Sequence, residues 1–171
     1  MQLSERLSKP QSVSKAEDLE EALESVAQDV YRYARFRMMN IQDAEDATME
    51  TLHALRRNSR PFLEARSRTF FAIGVCRRKI ANIVRANRFK WFAKRPESDL
   101  ASMTESQVAI GQTLAQLSPE HREILALKYF HEFTQDEIAA LIGRSPSAVN
   151  SLLQRARQAF AEISPSREVF E

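Results

Sequence analysis

Only three glycines interrupt the 171 residues, and the long stretches between them are rich in Ala, Leu, Glu and Arg, residues that lose little on entering a helix. Nowhere do β-branched or aromatic residues alternate with polar ones in the two-residue period of a strand. The fold class expected is therefore all-α. The length allows one ordinary domain or two small helical ones and leaves no room for a large enzyme scaffold. A single cysteine, Cys76, excludes an internal disulfide and any multi-cysteine zinc site. It reads as a small buried apolar residue in a reduced compartment. No apolar run approaches the roughly 18 residues needed to span a bilayer, and the N-terminus lacks the apolar stretch and cleavage site of a signal peptide. A cytoplasmic protein without membrane insertion is expected.

The formal net charge is only +2, but the charge is segregated. Residues 16–50 hold 10 acids and 3 bases, whereas residues 56–95 hold 13 bases and one acid, Glu64. A basic block of this density fits a polyanion, because phosphates reward clustered cations by releasing condensed counterions.

Along the chain, residues 1–15 are polar and contain Pro10, as in a disordered tail. Residues 16–92 carry successive helical patterns broken near Asn40–Asp43 and at Asn58–Pro61, where proline disfavours helix in its predecessor. Residues 93–111 combine Pro, Ser, Asp and Glu with weak periodicity and read as a flexible linker that ends in a helical turn. Residues 112–163 form a second helical unit, and 164–171 a tail.

The second unit has the clearest local signals. Ser118-Pro119 is an N-cap hydroxyl followed by proline at the first helical position. Thr134 to Glu137 has capping-box spacing, and Gly143 supplies the left-handed residue that ends the helix. Ser145-Pro146 then starts another helix almost at once. Two helices joined by a short Gly-containing turn are the signature of a helix-turn-helix. On the last helix Val149, Leu152, Leu153, Ala156, Phe160 and Ile163 form one apolar stripe, opposite Ser147, Asn150, Ser151, Gln154 and Gln158. Small neutral hydrogen-bonding side chains rimmed by Arg155 and Arg157 suit major-groove base readout with phosphate contacts. An ordinary surface helix more often carries Glu/Lys pairs.

In the first unit, Ala44, Ala47, Thr51 and Leu55 share one face of a helix starting near Asp43, with Asp46, Glu50, His53 and Arg57 opposite. The small-residue face permits close packing and leaves an acidic edge for a partner. Alone, such an edge is more often a solvated helix face. Further on, Phe70, Phe71, Trp91 and Phe92 flank or interleave with Arg77, Arg78, Lys79, Arg85, Arg88 and Lys90, a mixture that suits partly single-stranded nucleic acid. Phe70 and Phe71 by themselves read as core residues. His53, His121 and His131 have no metal-ligand spacing or nucleophile partner, and there is no Gly-rich phosphate loop, so no enzyme, catalytic residue, metal or cofactor is expected.

Taken together, the two units resemble the extracytoplasmic-function (ECF) group of bacterial RNA polymerase sigma factors, over about residues 25–92 and 112–163. The stretch from Asp43 to Leu52 is similar to the acidic region-two motif of that group. Leu117 to Leu125, Phe133 to Gly143 and Val149 to Arg157 are similar to its region four. The resemblance implies a transcription initiation factor whose first domain docks on the clamp helices of the polymerase's largest subunit through Asp43, Asp46, Met49, Glu50 and His53. It implies recognition and melting of the downstream, minus-ten promoter element by Arg77, Arg78, Lys79, Asn82, Arg85, Arg88 and Lys90. It implies upstream, minus-thirty-five binding by Ser145, Ser147, Asn150, Ser151, Gln154, Arg155 and Arg157. RNA polymerase core, promoter DNA and a cognate anti-sigma factor are the partners it implies.

The chain departs from the group's pattern at four places. Met49 stands where a Gln is common, Arg78 where an Asn is often seen, Asn150 where a basic residue is frequent, and Leu152 where an Arg is frequent. Leu152 falls on the apolar stripe and bears on packing, whereas Asn150 bears on promoter preference. Two other readings compete. A sigma mimic that titrates an anti-sigma factor has no need for the basic block, and a free-standing helix-turn-helix regulator leaves the acidic and basic helices of the first unit unused.

Overall fold

A computed structural model describes residues 11–38, 40–86 and 105–164, with side chains described over 18–38, 40–86 and 110–164. Among these residues the structure is helical, as expected, with no strand. The helices are α1 (Gln11–Met38), α2 (Ile41–Arg57), α3 (Ser59–Leu63), α4 (Arg68–Ala86), α5 (Glu105–Gln116), α6 (Pro119–Leu125), α7 (Gln135–Ile142) and α8 (Pro146–Ile163). A turn of π-helix, Ala126–Phe130, extends α6.

In the first unit α1, α2 and α4 pack against one another. Asn40 caps α2, its side chain accepting from the Asp43 amide at 3.0 Å. The small-residue face of α2 is buried as its spacing requires: Ala44, Ala47, Thr51 and Leu55 are at most 1% exposed. Thr48 and Thr51 return their hydroxyls to the Ala44 and Ala47 carbonyls at 2.7 Å each, which lets polar side chains sit inside without orphaned donors. Pro61 lies in the first turn of α3, after Asn58, where its missing N–H leaves no intrahelical bond unmade. Cys76 is fully buried on α4 beside Ala72, Ile73 and Ile80. Burial pushes its thiol up to about 11, against the opposing effects of a hydrogen bond with Thr51 and the charge of Arg37.

The second unit follows its local signals closely. Ser118 and Ser145 cap α6 and α8, and Thr134 with Glu137 forms a complete capping box on α7. Gly143 ends α7 at φ 71°, in the left-handed region. The stripe Val149, Leu152, Leu153, Ala156 and Phe160 on α8 is buried against α6 and α7. Two helix starts differ from expectation. Helix α1 begins at Gln11, within the segment read as tail, and α5 begins at Glu105, so the boundary placed at 111/112 falls inside an element. Both starts lie in polar sequence with weak apolar periodicity, while Gly111 has open space around it and costs the helix only its propensity. Residues 87–104, which include most of the expected linker together with Arg88, Lys90, Trp91 and Phe92, lie outside the described residues.

The two units meet along α1, α4, α6 and the π-turn. Phe36 packs on Phe130 with ring centroids 4.4 Å apart, Phe70 meets Phe133 edge-on at 5.5 Å, and Tyr33 meets His131 at 6.0 Å. His131 also stacks on Phe133, and neither of its ring nitrogens has a hydrogen-bond partner. Burial lowers its pKa, Asp29 opposing and Arg32 adding to the effect. The folded chain therefore binds a proton at His131 less readily than the unfolded chain. Its contribution is complete above the ordinary histidine value near 6.5 and is lost as the pH falls from there through the lowered value. Thermal melts taken from about pH 7 down to about pH 5, above the range in which Glu137 titrates, should show a falling Tm that flattens in His131→Phe. An identical slope in the variant would assign the pH dependence to other groups.

Candidate nucleic-acid and polymerase interface

On α2 the face opposite the core presents Asp46, Glu50 and His53 to solvent, with Asp43 half-buried one turn earlier. Met49 is 52% exposed, a large apolar side chain in the middle of this acidic edge. Next to the edge, Glu20, Leu23, Glu24 and Ala27 of α1 join Met49, Leu52, His53 and Arg56 around a shallow depression of about 230 Å³. Arg56 reaches across it to Glu20 at 2.6 Å.

The basic stretch on α4 divides into three directions that spacing alone did not separate. Arg78, Asn82 and Arg85, at i, i+4 and i+7, are exposed and share one face. Lys79 turns to α2 and pairs with Glu50 at 3.3 Å, so the acidic edge and the basic helix are electrostatically joined. Arg77 turns the other way, into the seam with the second unit, where its Nε donates to Glu123 Oε1 at 2.9 Å. Phe70 and Phe71 are half-buried against the core, in keeping with the core reading.

On α8, Ser147, Asn150, Ser151, Gln154 and Gln158 are exposed, opposite the buried stripe. Ser145 is engaged as the cap, accepting from the Ala148 amide at 3.2 Å, with the Ser147 hydroxyl 3.1 Å from its own. Asn150 is held at its side-chain oxygen by the Gln135 amide at 3.1 Å, which links the two helices of the motif and leaves the Asn150 NH₂ outward. Ser151 donates back to the Ser147 carbonyl at 3.1 Å and accepts at its own carbonyl from Arg155 at 3.4 Å. Arg157 is tethered, donating to the Tyr129 hydroxyl at 2.7 Å with its guanidinium 5.8 Å from that ring. Arg144, in the turn of the motif, pairs with Glu120.

Sequence reasoning missed Glu123. It was read only within the stretch Leu117 to Leu125 that resembles region four, but its carboxylate is a junction between the units, and no local pattern could have identified partners 90 and 46 residues away. Among the described residues no group of His, Cys, Asp and Glu is placed to hold a metal ion, and no helix is long and apolar enough to cross a membrane.

Residues 107–160 match the sigma-70 region 4 family, which identifies the helix-turn-helix unit. Similarity to curated proteins runs well beyond it. The ECF RNA polymerase sigma factor BldN of Streptomyces coelicolor is 26% identical over 80% of this chain and 56% of its own length. The ECF sigma factor SigD of Mycobacterium bovis is 28% identical over 82% of this chain and 74% of its own. The sigma factor YlaC of Bacillus subtilis is 38% identical over 37% of this chain and 36% of its own length. Over most of its length the chain is thus similar to ECF sigma factors, at 26–28% identity. It spans little more than half the length of BldN. Its fold is that of the sigma factor RpoE of Bartonella quintana, solved in complex with the anti-sigma factor NepR, with a TM-score of 0.71, 19% identity, and coverage of 85% of this chain and 96% of that one.

Proposed function

We propose that this chain is a transcription initiation factor that binds RNA polymerase core and directs it to particular promoters. The observation that carries the reading is the pairing, in one chain, of a region 4 helix-turn-helix with a neutral exposed recognition face and a helical unit whose acidic edge adjoins an exposed basic face. On this reading the first unit, within residues 16–92, docks polymerase through Asp43, Asp46, Met49, Glu50 and His53. Its α4 face, centred on Arg78, Asn82 and Arg85, acts on the minus-ten element, with Arg77, Lys79, Arg88 and Lys90 assigned to the same role. The α8 face, Ser147, Asn150, Ser151 and Gln154 with Arg155 and Arg157, reads the minus-thirty-five element from its cap at Ser145. The chain works in the cytoplasm, where its polymerase is, and has a cognate anti-sigma factor as partner. It carries no catalytic residue, cofactor or metal.

In vitro transcription with core polymerase on a promoter library tests the reading. Selective initiation from a subset of promoters is expected, and duplex binding without any transcription would point to a free-standing regulator instead. Within it, Asp46→Lys combined with Glu50→Lys should weaken polymerase binding by at least tenfold with helical content intact, since two like-signed reversals on a docking surface cost several kcal/mol. Equal binding by the folded variant would remove α2 from the interface.

A further inference from the structure

Among the described residues three large hydrophobic side chains are exposed: Met49 on the acidic edge of α2, and two consecutive aromatics, Tyr129 at 38% and Phe130 at 51%, in the π-turn after α6. Phe130 is accounted for by its packing on Phe36. Tyr129 engages α8 instead. Its hydroxyl accepts from Arg157 Nε at 2.7 Å, and the Arg157 guanidinium carbon lies 5.8 Å from the centre of its ring. The backbone around Tyr129 departs from a regular helix. The His131 amide reaches five residues back to Ala126 at 3.2 Å, and Glu132 beside it stands at φ 53°, a left-handed conformation that a residue with a side chain adopts only at a cost. Such π-turns are rare and occur frequently at functional sites.

Arg157 lies seven residues after Asn150, two turns along nearly the same line of α8, at the border between the exposed face and the buried Leu153. The bond to Tyr129 uses the Nε donor alone. The remaining donors are on Nη1 and Nη2, which make no hydrogen bond or ion pair among the described residues. These two nitrogens form a fork that fits two oxygens of one phosphate. An untethered arginine gives up its rotamer freedom when it binds, whereas Arg157, held at Nε, has given it up beforehand. Arg155, by contrast, is tied only to its own helix, at 3.4 Å.

We propose that Tyr129 is a positioning residue for DNA binding: from the π-turn it holds Arg157 by Nε, so that Nη1 and Nη2 take one backbone phosphate of the upstream element as a pair. The phosphate part rests on the upstream-element reading given above; the tether does not. A phosphate is the same whatever base it carries, so this contact adds affinity and fixes the register of α8 on the duplex without selecting sequence. The DNA-contacting surface then includes a residue outside the two helices of the motif, supplied by the turn that precedes them.

The test uses the full chain assembled with core polymerase, a promoter duplex selected from the library, and copies of that duplex each carrying one uncharged methylphosphonate linkage. Arg157→Gln should lower the logarithmic salt slope by about 0.9. Tyr129→Phe, which keeps the ring and every charge, should weaken binding by about 2- to 10-fold, the cost of ordering one rotamer-rich side chain, with base preference unchanged. On one of the methylphosphonate duplexes both variants should bind as the unaltered chain does, because the phosphate they serve is already neutral. A Tyr129→Phe loss of equal size on every duplex makes the residue merely structural and overturns the proposal, as does no loss at all, or an unaltered slope in Arg157→Gln. Should Tyr129→Phe lose helical content, Arg157→Lys decides, since it keeps the charge but has no guanidinium for Tyr129 to hold: weaker binding at an unchanged slope supports the proposal, and equal binding overturns it. An unaltered assembly that selects no sequence at all would instead remove the upstream-element reading, and this inference with it.

Discussion

Replacing Arg78 and Arg85 by Gln is expected to stop strand opening at the promoter while polymerase docking survives. Both side chains leave α4 on the face that carries Asn82 and that turns away from the buried positions Ala72, Ile73, Cys76 and Ile80. They are the two cations of α4's exposed face beyond the first turn, since Arg77 is held by Glu123 and Lys79 by Glu50. If each contacts one phosphate, the double variant loses about 1.4 to 1.8 units of logarithmic salt slope, at 0.7 for single-stranded and 0.9 for duplex contacts. The same loss at low salt removes the electrostatic gain that holds melted strands on the protein. Permanganate footprinting of the variant with polymerase, at several salt concentrations, reads both effects. Normal opening with an unaltered slope would show that this face is only solvated.

Alanine at Asn150, Ser151, Gln154 and Arg155 together is expected to abolish discrimination among upstream elements. The four are exposed on α8 over a buried stripe, so their removal leaves packing untouched. A lost bidentate base contact costs about 1–3 kcal/mol and relaxes preference at one position, whereas a lost phosphate contact weakens all sequences alike. Asn150→Ala and Gln154→Ala should therefore change the selected sequence, and Arg155→Ala should lower affinity without changing it. Gln135→Ala should broaden the preference at the Asn150 position alone, because the 3.1 Å bond from Gln135 fixes which way the Asn150 amide points. Selection from a promoter library gives all four answers, and an unchanged consensus in the quadruple variant would mean that α8 does not enter the groove.

The helix-turn-helix was legible because each of its boundaries is a local event. Ser118, Thr134, Gly143 and Ser145 act on backbone groups within a few residues of themselves, and the structure shows each doing so. The two faces of α2 were legible for a similar reason, since the period of a helix separates Ala47 from Asp46 without reference to anything else. Direction among the basic residues of α4 was not. Arg77, Arg78 and Lys79 are consecutive and chemically alike, and what separates them is Glu123 on one side and Glu50 on the other, both brought in by tertiary packing. The helix starts at Gln11 and Glu105 were hidden by polar sequence, in which helix propensity acts without an apolar stripe to announce it. The π-turn after α6 was also invisible, because it is defined by an amide reaching five residues back, His131 to Ala126 at 3.2 Å, and no residue type signals that reach.

The single thiol of the chain makes its first unit self-reporting. At neutral pH a side chain pushed up to about 11 offers almost no thiolate, and Cys76 has no exposed surface. An alkylating reagent therefore reacts only during the brief excursions in which α4 comes away from its neighbours. When closing is faster than alkylation, the observed rate is the rate of an exposed thiol multiplied by the excursion's equilibrium constant. A plain labelling time course on the unaltered protein thus meters the breathing of the first helical unit, without a probe being introduced anywhere.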